Sequence, residues 1–181
     1  VLMANVLIVA TGSVYTGTSD GDSIQFLSGA LPGAQVLGEG GADTINITQA
    51  STDASANGAS LVGGAGDDSI FVASADYSAR QTIIRGGEGN DTITISGGSY
   101  SLIKGNEGAD LLSAAVLGNA SAIIMGGGQD TIQLQQGTAQ LINLGGGRDL
   151  ISASGLNLET GASVIGGGGK DTITLDISAN T

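Results

Sequence analysis

The 181-residue chain has no cysteine, no histidine and no tryptophan, a single proline, and only 3% aromatic residues. Without cysteine there are no disulfides and no thiol nucleophiles. Without histidine there is no Ser-His triad and no zinc centre of ordinary composition. The missing cysteine leaves the compartment open. Bases are also scarce, 5 against 17 acids for a net charge of −12. Nucleic acid and anionic membrane both demand a basic face, so neither is an expected partner, and cations are. No apolar run is long enough to span a bilayer. Val1 to Ala10 is apolar apart from Asn5, but it is too short for a transmembrane helix and lacks the basic start and cleavage pattern of a complete signal peptide, so it reads as a β-strand. The 33 glycines follow no three-residue period and the hydrophobic content is 40%, which excludes both a collagen-like chain and ordinary disorder.

What the chain does have is a Gly-rich turn ending in aspartate. The turns read Gly38-Glu39-Gly40-Gly41-Ala42-Asp43, Gly63-Gly64-Ala65-Gly66-Asp67-Asp68, Gly86-Gly87-Glu88-Gly89-Asn90-Asp91 and Gly105-Asn106-Glu107-Gly108-Ala109-Asp110, followed by variants ending at Asp130, Asp149 and Asp171. Asp22 opens the series in degenerate form. Successive aspartates lie 21, 25, 23, 19, 20, 19 and 22 residues apart, the range of a repeat that makes one coil.

Two residues after each aspartate stand Ile24, Ile45, Ile70, Ile93, Leu112, Ile132, Ile151 and Ile173. Four after stand Phe26, Ile47, Val72, Ile95, Ala114, Leu134, Ala153 and Leu175. Polar residues such as Thr92 and Thr94 intervene, so the period is that of a half-buried strand. Seven residues before the aspartates a second inward column runs Val36, Leu61, Ile84, Ile103, Ile123, Ile142 and Val164. Two positions further back lie smaller residues, Ala34, Ala59, Thr82, Ser101, Ser121, Gln140 and Ala162. The expected fold is therefore all-β, a parallel β-roll or β-solenoid of about eight coils of 19–25 residues with two main strands per coil. One such coil cannot bury its own apolar face, whereas stacked parallel strands superpose like side chains. Residues 1–21 form an N-terminal strand and irregular first coil, and residues 22–181 the solenoid proper. The far edge carries loops of varying length, Ser96–Tyr100 and Thr48–Gly58 among them.

The pattern Gly-Gly-x-Gly-x-Asp followed by x-Ile-x resembles the calcium-binding repeat of repeats-in-toxin (RTX) proteins. The resemblance covers about Gly38 to Leu175. It is strict at the turns ending in Asp68, Asp91 and Asp171. Glu39 and Asn106 replace the second glycine in two turns, and Met125 and Leu144 take the first position in two others. The resemblance implies Ca²⁺ held between the turns of adjacent coils by carbonyls of Gly38, Gly41, Gly63, Gly64, Gly66, Gly86, Gly87, Gly89, Gly105 and Gly108 and by the carboxylates of Asp43, Asp68, Asp91, Asp110, Asp130, Asp149 and Asp171. Carbonyl and carboxylate oxygens suit a hard cation, and carboxylates stacked about 5 Å apart repel by roughly 1 kcal/mol per pair even in water. The bland alternative is an Asx-type turn in which the aspartate only bonds backbone amides, with Arg148 and Lys170 neutralising their neighbours. Only one edge carries the motif, so no second ion row is expected.

Other features carry less. The sequons at Asn46, Asn90 and Asn119 are short enough to arise by chance. Tyr15, Tyr77 and Tyr100 read as loop or end packing, and Glu88 and Glu107 as solvent-facing acids of the turn. Both ends lack polar caps, which suggests head-to-tail association into a homo-oligomer or polymer, with the N-terminal strand completing the terminal coil of the next molecule. Leu37, Val62, Ile83, Leu102, Ile124, Leu141 and Ile165 would form a lateral apolar stripe. The resulting expectation is a secreted bacterial structural protein with no enzymatic activity, forming a calcium-stabilised filament, sheath or surface layer outside the cell, with polysaccharide or the cell surface as candidate partners. The alternative is an RTX module of a larger secreted adhesin or exoenzyme.

Overall fold

The computed structural model describes residues 5–8, 14–26, 33–48, 58–73 and 82–177. They form parallel strands without a helix, wound into a β-solenoid of about seven turns between the first aspartate and the last. Strands such as Gln35–Gly40, Ser60–Ala65 and Thr82–Glu88 lead into the Gly-rich turns. Strands such as Thr44–Ile47, Ser69–Val72 and Thr92–Ile95 leave them. Each set stacks on its counterparts from neighbouring coils.

The registers superpose the isoleucines. Ile24, Ile45, Ile70, Ile93, Leu112, Ile132, Ile151 and Ile173 pair in one unbroken column, and Val36, Leu61, Ile84, Ile103, Ile123, Ile142 and Val164 in a second. Apart from Ile173 and Val164 these residues are almost completely buried. Each full burial is worth about 1.5–3 kcal/mol, so the narrow aliphatic core holds the stack together without large aromatics. Ile173 is 42% exposed because, among the described residues, no rung lies beyond it.

Three expectations need correction. The smaller inward column does not keep a constant offset. A register shift between Tyr100 and Leu102 inserts one residue, so the inward positions become Tyr100, Ala120 and Ala139, all buried, while Ser121 and Gln140 face water. Tyr100 is accordingly core and not loop, and its hydroxyl donates to the Gly97 carbonyl at 2.8 Å. Second, the outward apolar residues do not share one column. Leu37 and Val62 stack on Arg85 and Lys104 before the column returns to Ile124, whereas Ile83 and Leu102 belong to the neighbouring outward column. Third, from Leu117 onward the far edge is itself a paired strand, with Leu117, Gly137 and Leu156 in register, and buried leucines there close the core. Tyr77 and most of the Thr48–Gly58 loop lie outside the described residues. At the other end Asn5–Ile8 pairs in parallel with Ser23–Phe26 of its own chain.

Candidate cation site along the aspartate column

The aspartates share the parity of the inward isoleucines two residues later, and the structure places them inside. Asp22, Asp43, Asp68, Asp91, Asp110, Asp130 and Asp149 are each no more than 3% exposed, and only Asp171 in the last rung is half-buried. Their partners come from the adjoining coil. The backbone N–H of Asp22 donates to Oδ1 of Asp43 at 2.6 Å, that of Asp43 to Asp68 at 2.7 Å, and that of Asp68 to Asp91 at 2.9 Å. The series continues through Asp110, Asp130 and Asp149 to Asp171. Each carboxylate thus reaches back to the coil before it, a charge-assisted bond that satisfies a buried amide. The Asx-type alternative is right about amide bonding but not about its place. The first turn shows the local version, with the Thr18 N–H donating to Asp22 Oδ2 at 2.8 Å.

The second carboxylate oxygen has no such partner. Oδ2 of Asp43, Asp68, Asp91, Asp110, Asp130 and Asp149 is buried without a hydrogen bond. Burial is the main cause that raises all six acids above the ordinary carboxylate range, with the ladder bond opposing it. Neighbouring carboxylates add to the rise at most rungs. Asp68 and Asp130 are pushed up to about 6 and Asp91 to about 7. Arg148 and Lys170 point outward and are exposed, and Asp149 Oδ2 has no bonding partner, so Arg148 does not neutralise it by contact.

In the rungs of Asp22, Asp43, Asp68, Asp91, Asp110 and Asp171 the residue five positions before the aspartate is glycine, and the aspartate Oδ2 packs against it; at Asp130 and Asp149 that position is Met125 and Leu144. A Cβ on Gly38 would collide with Asp43 Oδ2 and with the Gly63 carbonyl of the next coil. On Gly63 it would meet Asp68 Oδ2 and, at 2.7 Å, the Gly86 carbonyl; on Gly105 it would meet Asp110 Oδ2 and, at 2.7 Å, the Met125 carbonyl. At Gly86 the Asp91 side chain occupies the space. At Gly38, Gly63 and Gly105 a carboxylate oxygen and a carbonyl oxygen from the next coil therefore both pack against the glycine, which brings two hard-ligand oxygens together beneath the turn. Among the described residues no three acidic side chains gather into a single metal-binding group, so backbone oxygens would have to supply most of any coordination shell.

The remaining predicted glycines serve the turn. Gly41, Gly66, Gly89 and Gly108 all have positive φ, and in the last three a Cβ would overlap the carbonyl of the equivalent glycine one coil earlier. Gly64 and Gly87, four residues before their aspartates, also have positive φ, but at that position two turns carry side chains, Glu39 at φ 78° and Asn106 at φ 86°. Left-handed backbone costs a non-glycine residue about 1–2 kcal/mol. Glu39→Gly is expected to stabilise the fold by about 1 kcal/mol, read as a Tm increase of roughly 2–4 °C; a decrease would mean that the Glu39 side chain makes a compensating contact.

Outside the column, Asn90 accepts the Ala109 N–H and donates to Asp67, a second, exposed ladder that sequence reasoning missed. Glu88 and Glu107 are exposed and adjacent in register. The fold and site define a parallel β-solenoid with an internal aspartate ladder. Comparison with protein-family models, curated proteins and solved structures found no match.

Proposed function

We propose that this chain is a non-enzymatic structural β-solenoid whose Gly-Asp turns are locked by calcium, and that it works outside the cell, where calcium is abundant, in a filament, sheath or surface layer. The observation that carries this reading is the run of buried Oδ2 atoms with no hydrogen bond. An ionised, unpartnered carboxylate oxygen inside a protein is costly, and a divalent cation beneath the turn removes both that cost and the repulsion between stacked carboxylates. The donor chemistry fits: Oδ2 of Asp43, Asp68 and Asp110 lies beside a backbone carbonyl of the next coil, against a glycine that carries no Cβ, and the turns resemble RTX repeats. Bound calcium would supply positive charge and cross-coil coordination. The chain's own contribution is the alignment of the oxygens.

The assembly part of the reading is that parallel strand addition extends the stack of coils along its axis, since the strands pair in parallel register from Asn5–Ile8 to Thr172–Ile177.

A calcium titration of chelator-treated protein, followed by circular dichroism and thermal unfolding, tests the reading. Millimolar calcium is expected to produce a cooperative gain in β-structure or a Tm increase of at least 5 °C, with magnesium far less effective. An identical melting curve in chelator and in calcium would refute it. Electron microscopy of the same samples is expected to show linear arrays in calcium; monomers at every concentration would remove the assembly part alone.

A further inference from the structure

Outside the core the two sets of strands differ. Those leaving the turns, from Thr44–Ile47 to Thr131–Leu134, carry no charged residue. Those entering the turns present an apolar outer face broken by two bases. Arg85 and Lys104 stand side by side in register, between Val62 and Ile124 in their own column and beside Ile83 and Leu102 in the next. Both are half-buried. Three residues further on, the same two strands end in Glu88 and Glu107, which are also neighbours in register and are exposed. Among the described residues none of these four side chains forms an ion pair. Like charges side by side on a sheet repel, and nothing among the described residues of the same chain relieves either pair.

We propose that this patch is a side-by-side contact between two copies of the chain, with Arg85 and Lys104 of one copy against Glu88 and Glu107 of the other. The equal spacing of the two pairs carries the inference. Both pairs sit on the same two strands, about 4.8 Å apart along the axis, so a neighbour at the same level brings both acids to both bases at once. The patch holds both halves of the contact, as self-complementary association requires. Val62, Ile83, Leu102 and Ile124 around the bases lose water in the contact, giving it the apolar centre with an arginine anchor that interfaces favour. A net charge of −12 repels two copies at long range, so the opposed pairs select this one face and its register. The contact lies across the solenoid axis. It is therefore separate from stacking along the axis and does not rest on calcium.

Carbodiimide, which joins an amine to a carboxylate in contact with it, tests the pairing on an equal mixture of isotope-labelled and unlabelled chain. Mixed-isotope peptides joining Lys104 to Glu88 or Glu107 are expected. In sedimentation over a concentration series, Arg85→Glu with Lys104→Glu is expected to weaken association by about tenfold or more. Glu88→Lys with Glu107→Lys should do the same, and mixing the two double variants should restore it. Arg148→Glu with Lys170→Glu changes the net charge as much as the first pair of substitutions and is expected to associate like the unmodified chain. Absence of any mixed-isotope link to Lys104, equal weakening by the Arg148 and Lys170 substitutions, or no restoration in the mixture overturns the contact. Linear arrays that persist in Arg85→Glu with Lys104→Glu would show that stacking along the axis stands without it.

Discussion

In chelator, the protein is expected to be most stable near pH 4 and to lose stability steadily as the pH rises to about 7. The sign follows from the raised carboxyls. Asp68 and Asp130 titrate at about 6 and Asp91 at about 7 in the fold, against 3.8 for the free side chain. Between these values the folded chain holds more protons than the unfolded chain, so stability falls with rising pH throughout that window. Below about 4 both states are protonated and the dependence vanishes; above about 7 both are ionised and it levels off. A full pKa unit corresponds to about 1.4 kcal/mol. Summed over the three carboxyls, the expected loss is on the order of a few kcal/mol. Denaturant unfolding at a series of pH values reads this directly. Calcium is expected to reverse the slope, because the ion binds the deprotonated form. A stability that rises from pH 4 to 7 in chelator would show that the carboxylates are solvated and that the ladder is not buried as described.

Gly66→Ala should be among the most damaging single-methyl changes in the molecule. Gly66 has φ of 125°, beyond the left-handed region that asparagine or glutamate tolerates. Its Cβ would also overlap the carbonyl of Gly41, with the carbonyl carbon at 2.6 Å. Both obstacles are backbone and neither can swing aside. Strain and overpacking together are expected to cost about 4 kcal/mol, or a Tm decrease of roughly 8–16 °C. Gly146→Ala is the matched control: nothing lies within 4 Å of its Cβ position, and its effect should stay within about 0.5 kcal/mol. Equal effects from the two substitutions would mean that coils do not stack through the Gly-rich turn at the described distance.

The columns were legible because they depend on local alternation. A period of two tells inside from outside within one strand, and the aspartates restart the count in every coil, so Ile24 through Ile173 align from the sequence alone. The same parity also marks the aspartate as inward. Fixed offsets failed where the chain inserts a residue. The shift at Tyr100 leaves the isoleucine column intact but moves the next inward position by one, and no local preference for Ser101 over Tyr100 announces it. The apolar stripe failed for a related reason: Val62 and Ile83 look equivalent as hydrophobic residues, yet they stand two positions apart in register and flank different neighbours.

The sequence by itself determined the repeat, the two apolar columns, the parallel stacking and the need for glycine at the turn, since these follow from side-chain parity and from backbone conformations that only a residue without Cβ adopts freely. The tertiary structure alone decided that Oδ1 of Asp43 through Asp171 reaches the preceding coil, that Oδ2 of Asp43 through Asp149 is left buried without a hydrogen bond, and that Met125 and Leu144 are buried at a position where glycine lies against the carboxylate in other rungs. Those facts depend on the axial offset between neighbouring coils, a distance between residues about twenty positions apart, and no property of a single coil encodes it.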